Sequence, residues 1–350
     1  MGAFTDADKI YINGICCGSS YDRYASRIYP VAPGILRAGE NVVCIHLYVF
    51  RGRGGAMPGK QYGIRFKRGK ERWLDLSGTW DAQIRKQMEY LPEKTFFNYM
   101  ASAMFNGMIS PVSPYKICAV IYYQGESDVG HPNRYALEFR ALVNDWRKSW
   151  KEKQLPIIYV QLAGFSDGNI KKQGTQWAEF REVQRQAMEI ENTAMIQAYD
   201  VGEYNDLHPM DKKTLGMRAA LAVHKLVYGE KEECTGPQVR KIRLDRDKRV
   251  YAVFDQPLQT GSKKDGCELV SEVELRKANG DYKRAYVTVD GNEICAWLSD
   301  GEEPTGIRYA WKDCPMNICL YGKRGLPVIP FIKEWGRDAI YTGKICETDR

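Results

Sequence analysis

The sequence predicts an α/β protein, a core of parallel strands and helices with smaller β-rich regions on both sides. Three observations carry this. Continuous apolar runs at Cys118–Tyr123 (CAVIYY), Pro156–Leu162 and Thr193–Tyr199 read as strands covered on both faces. Between and after them lie segments of helical period. Before residue 86 and after Gly236 the pattern is of short strands separated by turn dipeptides. A chain of 350 residues is also longer than one ordinary core, so two or three domains are expected.

The first region opens with Lys9–Ile15, which alternates and turns at Asn13-Gly14, a strong hairpin signal. Asn41–Phe50 is a second strand, and Trp73–Leu76 and Trp80–Ile84 are further short ones. From about Lys86 a helical period is expected. Arg134–Trp150 sets Tyr135, Phe139, Leu142, Val143, Trp146 and Trp150 on one helical face. Helices are also predicted at Trp177–Met188 and at Asp211–Val227, the latter closed by Gly229. The last region holds strands at Val239–Leu244, Arg249–Phe254, Val273–Lys277, Ala285–Val289, Glu293–Trp297 and Gly306–Trp311, with turns at Asn279-Gly280 and Asp290-Gly291. The domain boundaries that follow are 1–85, 86–232 and 235–336, with a polar tail at 337–350.

Composition excludes several classes. The net charge of +7 is scattered, and short basic runs such as Arg51–Arg53 and Lys67–Arg72 sit in Gly-rich loops or beside acids, so no nucleic-acid groove is indicated. No apolar stretch approaches the ~18 residues of a membrane span. The start, MGAFTDADKIYING, lacks the apolar segment of a signal peptide. The ten cysteines show no paired spacing, which argues against zinc and favours buried free thiols.

Catalytic groups of open α/β sheets gather at the carboxyl ends of the strands. The first strand runs into Gln124-Gly125-Glu126, the second into Gln161, and the third into Asp200 and then Asn205-Asp206-Leu207-His208-Pro209. Of the four histidines, His46 and His224 lie within apolar patterns and read as structural, and His131 sits in a loop beside Pro132. His208 alone follows a sheet strand with a carboxylate two residues away. Asp206 fits two roles, orienting an imidazole base as in serine hydrolases, or serving as a turn or cap residue. Gln124 and Gly125 could offer an amide side chain and an unobstructed backbone N–H to an oxyanion. Glu126, with Asp128, would also suit a glycosidase.

Phe105–Tyr135, with its Asn-Gly-Met-Ile and Tyr-Gln-Gly-Glu-Ser segments, resembles the sialate O-acetylesterase family of SGNH hydrolases. Tyr199–Ala222 (YDVGEYNDLHPMDKKTLGMRAALA) is similar to that family's catalytic-histidine block, and Trp177–Gln184 (WAEFREVQ) also resembles it. The likeness extends over the flanking β regions, the first resembling a galactose-binding-like β domain inserted into the hydrolase core. The fold so implied is a partial SGNH (flavodoxin-like) parallel-sheet hydrolase core with flanking β-sandwich domains. The activity implied is serine-His hydrolysis of acetyl esters on sugar hydroxyls, with no metal or cofactor. By position, His208 would be the base, Asp206 its partner, and Gln124, Gly125 and Glu126 would line the substrate and oxyanion site. Full-length relatives are often exported.

The resemblance also has gaps. The family's nucleophile stands in a Gly-Gln-Ser-Asn block, followed by a Gly-Gly block, and neither occurs here; Gly18-Ser19-Ser20 lies in a β-domain loop. Asp128 stands where many relatives have Asn. The expectation is therefore an N-terminally truncated esterase, nearly inactive alone because losing the serine costs on the order of a million-fold in turnover. Its implied partners are an acetylated glycan or sialic acid and the missing N-terminal half of the same protein. Two other readings are a non-catalytic glycan-binding protein and an acetylxylan-type esterase.

Overall fold

The computed structural model describes residues 1–22, 27–50, 52, 54–57, 60–66, 72–89, 95–166, 173–204, 206–231, 233–261, 272–335 and 346–347. Asn205, most of the basic runs at Arg51–Arg53 and Lys67–Arg72, and all of the 337–350 tail except Cys346 and Glu347 lie outside the described residues. The chain is mixed α/β, with one three-stranded parallel sheet and several antiparallel ones. It divides into two compact units: Met1–Met104 with Asp167–Asn169 and Asn205–His208, and Phe105–Ser166 with Ile170–Tyr204 and Pro209–Arg350.

In the first unit β1 (Ala7–Ile12) is the centre of an antiparallel sheet, between β2 (Ile15–Ser20) and β3 (Val43–Tyr48), so Gly18-Ser19-Ser20, expected in a loop, lies on a strand paired with Asp8–Ile10. The β1–β2 hairpin turns at Asn13-Gly14 as expected, both with positive φ (50° and 84°), the geometry whose twist matches the strands. His46 lies on β3 and packs its ring 4.8 Å from Tyr11. A buried ion pair, Arg27 Nε to Asp8 Oδ1 at 2.6 Å, anchors the sheet, and the Tyr29 hydroxyl donates to the other Asp8 oxygen. No strand forms at Trp80–Ile84, and no helix at residues 86–89; both stretches are exposed and have no apolar layer to pack on. A single 3₁₀ turn follows at Phe97–Tyr99.

The second unit carries the parallel sheet. Its elements are β4 (Val120–Tyr122), α1 (Pro132–Ser149), β5 (Ile157–Gln161), α2 (Gln176–Gln186), β6 (Thr193–Gln197) and α3 (Lys212–Tyr228). The sheet order is β6-β5-β4, with Ile157 opposite both Val120 and Thr193. Both crossovers step the same way across the sheet, so right-handed connection puts α1 and α2 on one face. Odd-numbered β5 and β6 residues (Ile157, Tyr159, Met195) pack there against Tyr135, Phe139, Val143 and Phe180. Even-numbered ones (Ile158, Val160, Ile196) pack on the other face against Leu215, Ala219 and Ala222 of α3. Each such fully buried aliphatic side chain contributes ~1.5–3 kcal/mol.

Two departures matter. β4 was expected to be covered on both faces, yet Ile121 is 57% exposed, because among the described residues β4 is an edge strand with no second neighbour. Cys44 and Cys118 are exposed rather than buried; Cys234, Cys314 and Cys319 are buried, and these five are free thiols, as are Cys16, Cys17 and Cys295.

C-terminal strands form a five-stranded antiparallel sheet, in order Tyr286–Asp290, Glu293–Trp297, Val250–Phe254, Val239–Leu244 and Cys346–Glu347. A four-stranded sheet runs Tyr282–Arg284, Val273–Arg276, Gly306–Tyr309, Phe331–Glu334. Ile242, Val250, Phe254 and Ile294 of the first share one core with Leu275, Ile307, Tyr309 and Phe331 of the second. This region is tied to the α/β layer within the same unit. Thr235 Oγ1 donates to the Met195 carbonyl at 2.9 Å, and the Tyr199 hydroxyl donates to the Val328 carbonyl.

Candidate functional site

At the carboxyl end of β4 the chain turns sharply into a short 3₁₀ segment, Glu126–Asp128. Gly125 makes the turn at φ +149°, and a Cβ placed there would stand 2.8 Å from Cε1 of Phe180. Both conformation and space thus require glycine. The Gln124 side chain is held at both ends. Its Oε1 accepts the Tyr122 hydroxyl at 2.9 Å, and its Nε2 donates to Asp128 Oδ2 at 2.7 Å. One of its two N–H donors is therefore engaged with Asp128. Burial, and next the Asp128 and Glu126 charges, push the Tyr122 phenol up to about 12, so it stays a donor near neutrality. The Glu126 side chain makes no hydrogen bond or ion pair among the described residues, and it is half-buried. The three strand-tip residues expected to line the site therefore share one tip, in the second unit.

The β5 tip is fixed by α2. Gln184 is fully buried, accepting the Leu162 N–H at 2.9 Å and donating to the Val160 carbonyl at 3.2 Å. Gln161 donates in turn to the Arg181 carbonyl at 3.0 Å. The Arg181 guanidinium is buried and donates to the carbonyls of Lys312 and Asp313, so α2 is bolted to the loop that follows the Gly306–Tyr309 strand. Burial draws Arg181 down to about 10, which leaves it protonated at neutral pH. Periodicity did not reveal these roles, since polar residues on a helix read as its solvent face. The only signal was their place within the WAEFREVQ segment.

At the β6 tip Asp200 and Arg218 of α3 form a buried two-pronged ion pair, Nη1 to Oδ1 and Nη2 to Oδ2, each 2.7 Å. Arg218 also donates to the Gln197 carbonyl at 2.6 Å, closing strand end and helix together. α3 itself begins at Asp211, whose carboxylate accepts the Thr214 N–H at 2.9 Å and its hydroxyl at 2.7 Å.

Asp206 and His208 group with the first unit. Asp206 is 2% exposed and its Oδ1 accepts the backbone N–H of His208 at 2.8 Å, a tight Asx turn. His208 itself is exposed. Of the other histidines, His224 bonds through Nδ1 to Glu230 Oε1 at 2.7 Å, and His131 precedes Pro132 at the start of α1. Among the described residues no group of three His, Cys, Asp or Glu is placed to hold a metal ion, and no helix is long and apolar enough to cross a membrane.

Known proteins are similar to this chain in sequence and fold. Residues 82–225 match the model of the carbohydrate esterase family of sialic acid-specific acetylesterases. A sialate O-acetylesterase of Mus musculus is 31% identical over 275 residues, covering 67% of this chain and 47% of its own length. The Homo sapiens sialate O-acetylesterase is 28% identical over 264 residues, 66% of this chain and 48% of its own. Among solved structures, a carbohydrate acetylesterase from Xanthomonas citri superposes with a TM-score of 0.60 at 29% identity, over 66% of this chain and 54% of that one. The chain spans about half the length of the curated relatives it matches. The matched 82–225 stretch holds the β4, β5 and β6 tips together with Asp206 and His208.

Proposed function

Because this chain belongs to the family of sialic acid-specific acetylesterases, which are carboxylic ester hydrolases, we propose that it carries the base and the strand-tip lining of a carbohydrate O-acetylesterase. The substrate in this reading is an acetyl ester on a sugar hydroxyl, with a 9-O-acetylated sialoside the favoured member. His208 takes the proton from an attacking serine hydroxyl, and later returns it to the leaving sugar oxygen. Asp206 positions His208 through the Asx turn at its backbone. The Gly125 N–H and the remaining N–H of Gln124 face the oxygen on which charge develops. No Gly-Gln-Ser-Asn block stands in these 350 residues, so a further polypeptide segment supplies the serine.

The observation that carries this reading is the built strand tip at Gln124–Gly125, where a glycine that space and φ both demand adjoins an amide fixed at both ends. It falls inside the segment matched by the esterase family. The test is acetate release from a 9-O-acetylated sialoside by the chain joined with the serine-bearing segment, set beside sugar binding by the chain alone. Release of acetate supports the esterase. Sugar binding with no acetate released in either form would point to a glycan-binding protein instead.

A further inference from the structure

We infer that Trp177 and Phe165 form the sugar-holding rim of the strand-tip site, a pair of rings against which the ring of an acetylated sugar is laid; the choice of sugar rests on the acetylesterase reading above. Trp177, Phe180, Arg181 and Gln184 stand at i, i+3, i+4 and i+7 of α2 and so share one helix face. The last three are fully buried. Gln184 bonds to the β5 end at Val160 and Leu162, and Phe180 stands against Gly125 at the β4 tip. α2 follows the carboxyl end of β5, so its first turn is the end nearest the strand tips. Three helical residues span about 4.5 Å. Trp177 therefore rises one step beyond the level of Gly125, past the strand ends, and there it is only half-buried.

Phe165 reaches the same place from the exit of β5. Its ring centroid lies 5.3 Å from that of Trp177, with the planes tilted by 52°. Phe165 is half-buried and belongs to none of the apolar cores among the described residues, so core packing does not account for it. Trp177 packs partly against the α1–α2 core, and its indole N–H makes no hydrogen bond among the described residues. Two tilted rings with an unengaged N–H match what a sugar ring presents, an apolar C–H face bordered by oxygen.

One residue braces both rings. Asp313 Oδ1 accepts the Trp177 backbone N–H at 2.9 Å, and the Asp313 carbonyl accepts the Phe165 N–H at 3.2 Å. The Asp313 N–H donates in turn to the Gly174 carbonyl at 3.0 Å, and a Cβ on Gly174 would stand 2.8 Å from Asp313 Oδ2. The loop after the Gly306–Tyr309 strand thus ties together the two segments that carry the rings. Rings held in this way lose little freedom when a sugar arrives. They stand beside Gln124–Gly125 and not at it, so they act on the binding of sugar esters and leave the acetyl group to the tip.

The test titrates the chain alone with a 9-O-acetylated sialoside and follows the indole N–H signals by nitrogen-15 NMR, the Trp177 signal being the one that Trp177→Phe removes. The expected result is a saturable shift of that signal. Phe165→Ala should weaken the sialoside Kd by at least ~5-fold and leave the unfolding midpoint in place, since no core loses a member. In the assembled esterase Trp177→Ala should raise KM for the sialoside by at least ~10-fold, with kcat on 4-nitrophenyl acetate, which has no sugar, within ~3-fold of the parent. An unmoved Trp177 signal, an unchanged Kd in Phe165→Ala, or equal losses on both esters would overturn the rim. A moved Trp177 signal with no acetate released by the assembled form keeps the rim and removes the esterase reading; acetate release with that signal unmoved does the reverse.

Discussion

Gln124 donates its side-chain amide to Asp128 across one turn of the 3₁₀ segment, at 2.7 Å. This bond fixes which way the amide points. Asn at 128 keeps an acceptor oxygen, so Asp128→Asn should change turnover of the assembled esterase by less than ~3-fold. Gln124→Ala removes one donor from the site and should lower kcat by ~100-fold, with KM little changed. Steady-state acetate release at fixed sialoside concentrations measures both.

Gly125→Ala should destabilise the chain by ~2–4 kcal/mol, through the 2.8 Å approach to Phe180 and the unfavourable φ of +149° together. Adding Phe180→Leu should recover only the steric part, because the backbone conformation is untouched. Urea unfolding of the two variants separates the contributions.

The Asp200–Arg218 pair is buried at both ends. Asp200→Ala strands a guanidinium in the interior and should cost ~3–5 kcal/mol. Replacing both partners by apolar residues should recover a good part of that loss, since no charge is then left unpaired. A double-mutant cycle on unfolding free energies gives the coupling directly.

Asp211 offers a pH test. Its bonds from the Thr214 side chain, then from the Thr214 backbone, hold its carboxyl below the usual carboxylate value. A depressed folded-state pKa contributes stability above the unfolded value of ~4, and that contribution is lost as pH falls through the folded value. Asp211→Ala should accordingly lower Tm at pH 7, and the difference from the parent chain should shrink toward zero by about pH 2. Thermal melts across pH 2–7 read this out.

The strand and helix order of the α/β layer was legible because its strands are long apolar runs and α1 carries a regular apolar stripe. Short strands such as Tyr282–Arg284 and Leu320–Gly322 were not, since three residues show no period. Trp80–Ile84 shows the opposite error: strand-forming residues form none where no neighbouring ladder receives them. β4 was recognised as a strand but not as an edge, because apolar content says what could be covered and not what covers it. At the site, residue types and strand ends pointed to Gln124, Gly125, Glu126, Asp206 and His208. The buried polar bolts Arg181, Gln184 and Arg218 were invisible, because helical period assigns such residues to solvent.

The role of His208 is the claim on which the esterase reading turns. Turnover of a 9-O-acetylated sialoside should be measured for the assembled enzyme with His208 and with His208→Ala, at equal folded concentration. A fall of at least ~1,000-fold in kcat is the expected result. Turnover within a few-fold of the parent would contradict it, and would require another residue to carry the proton.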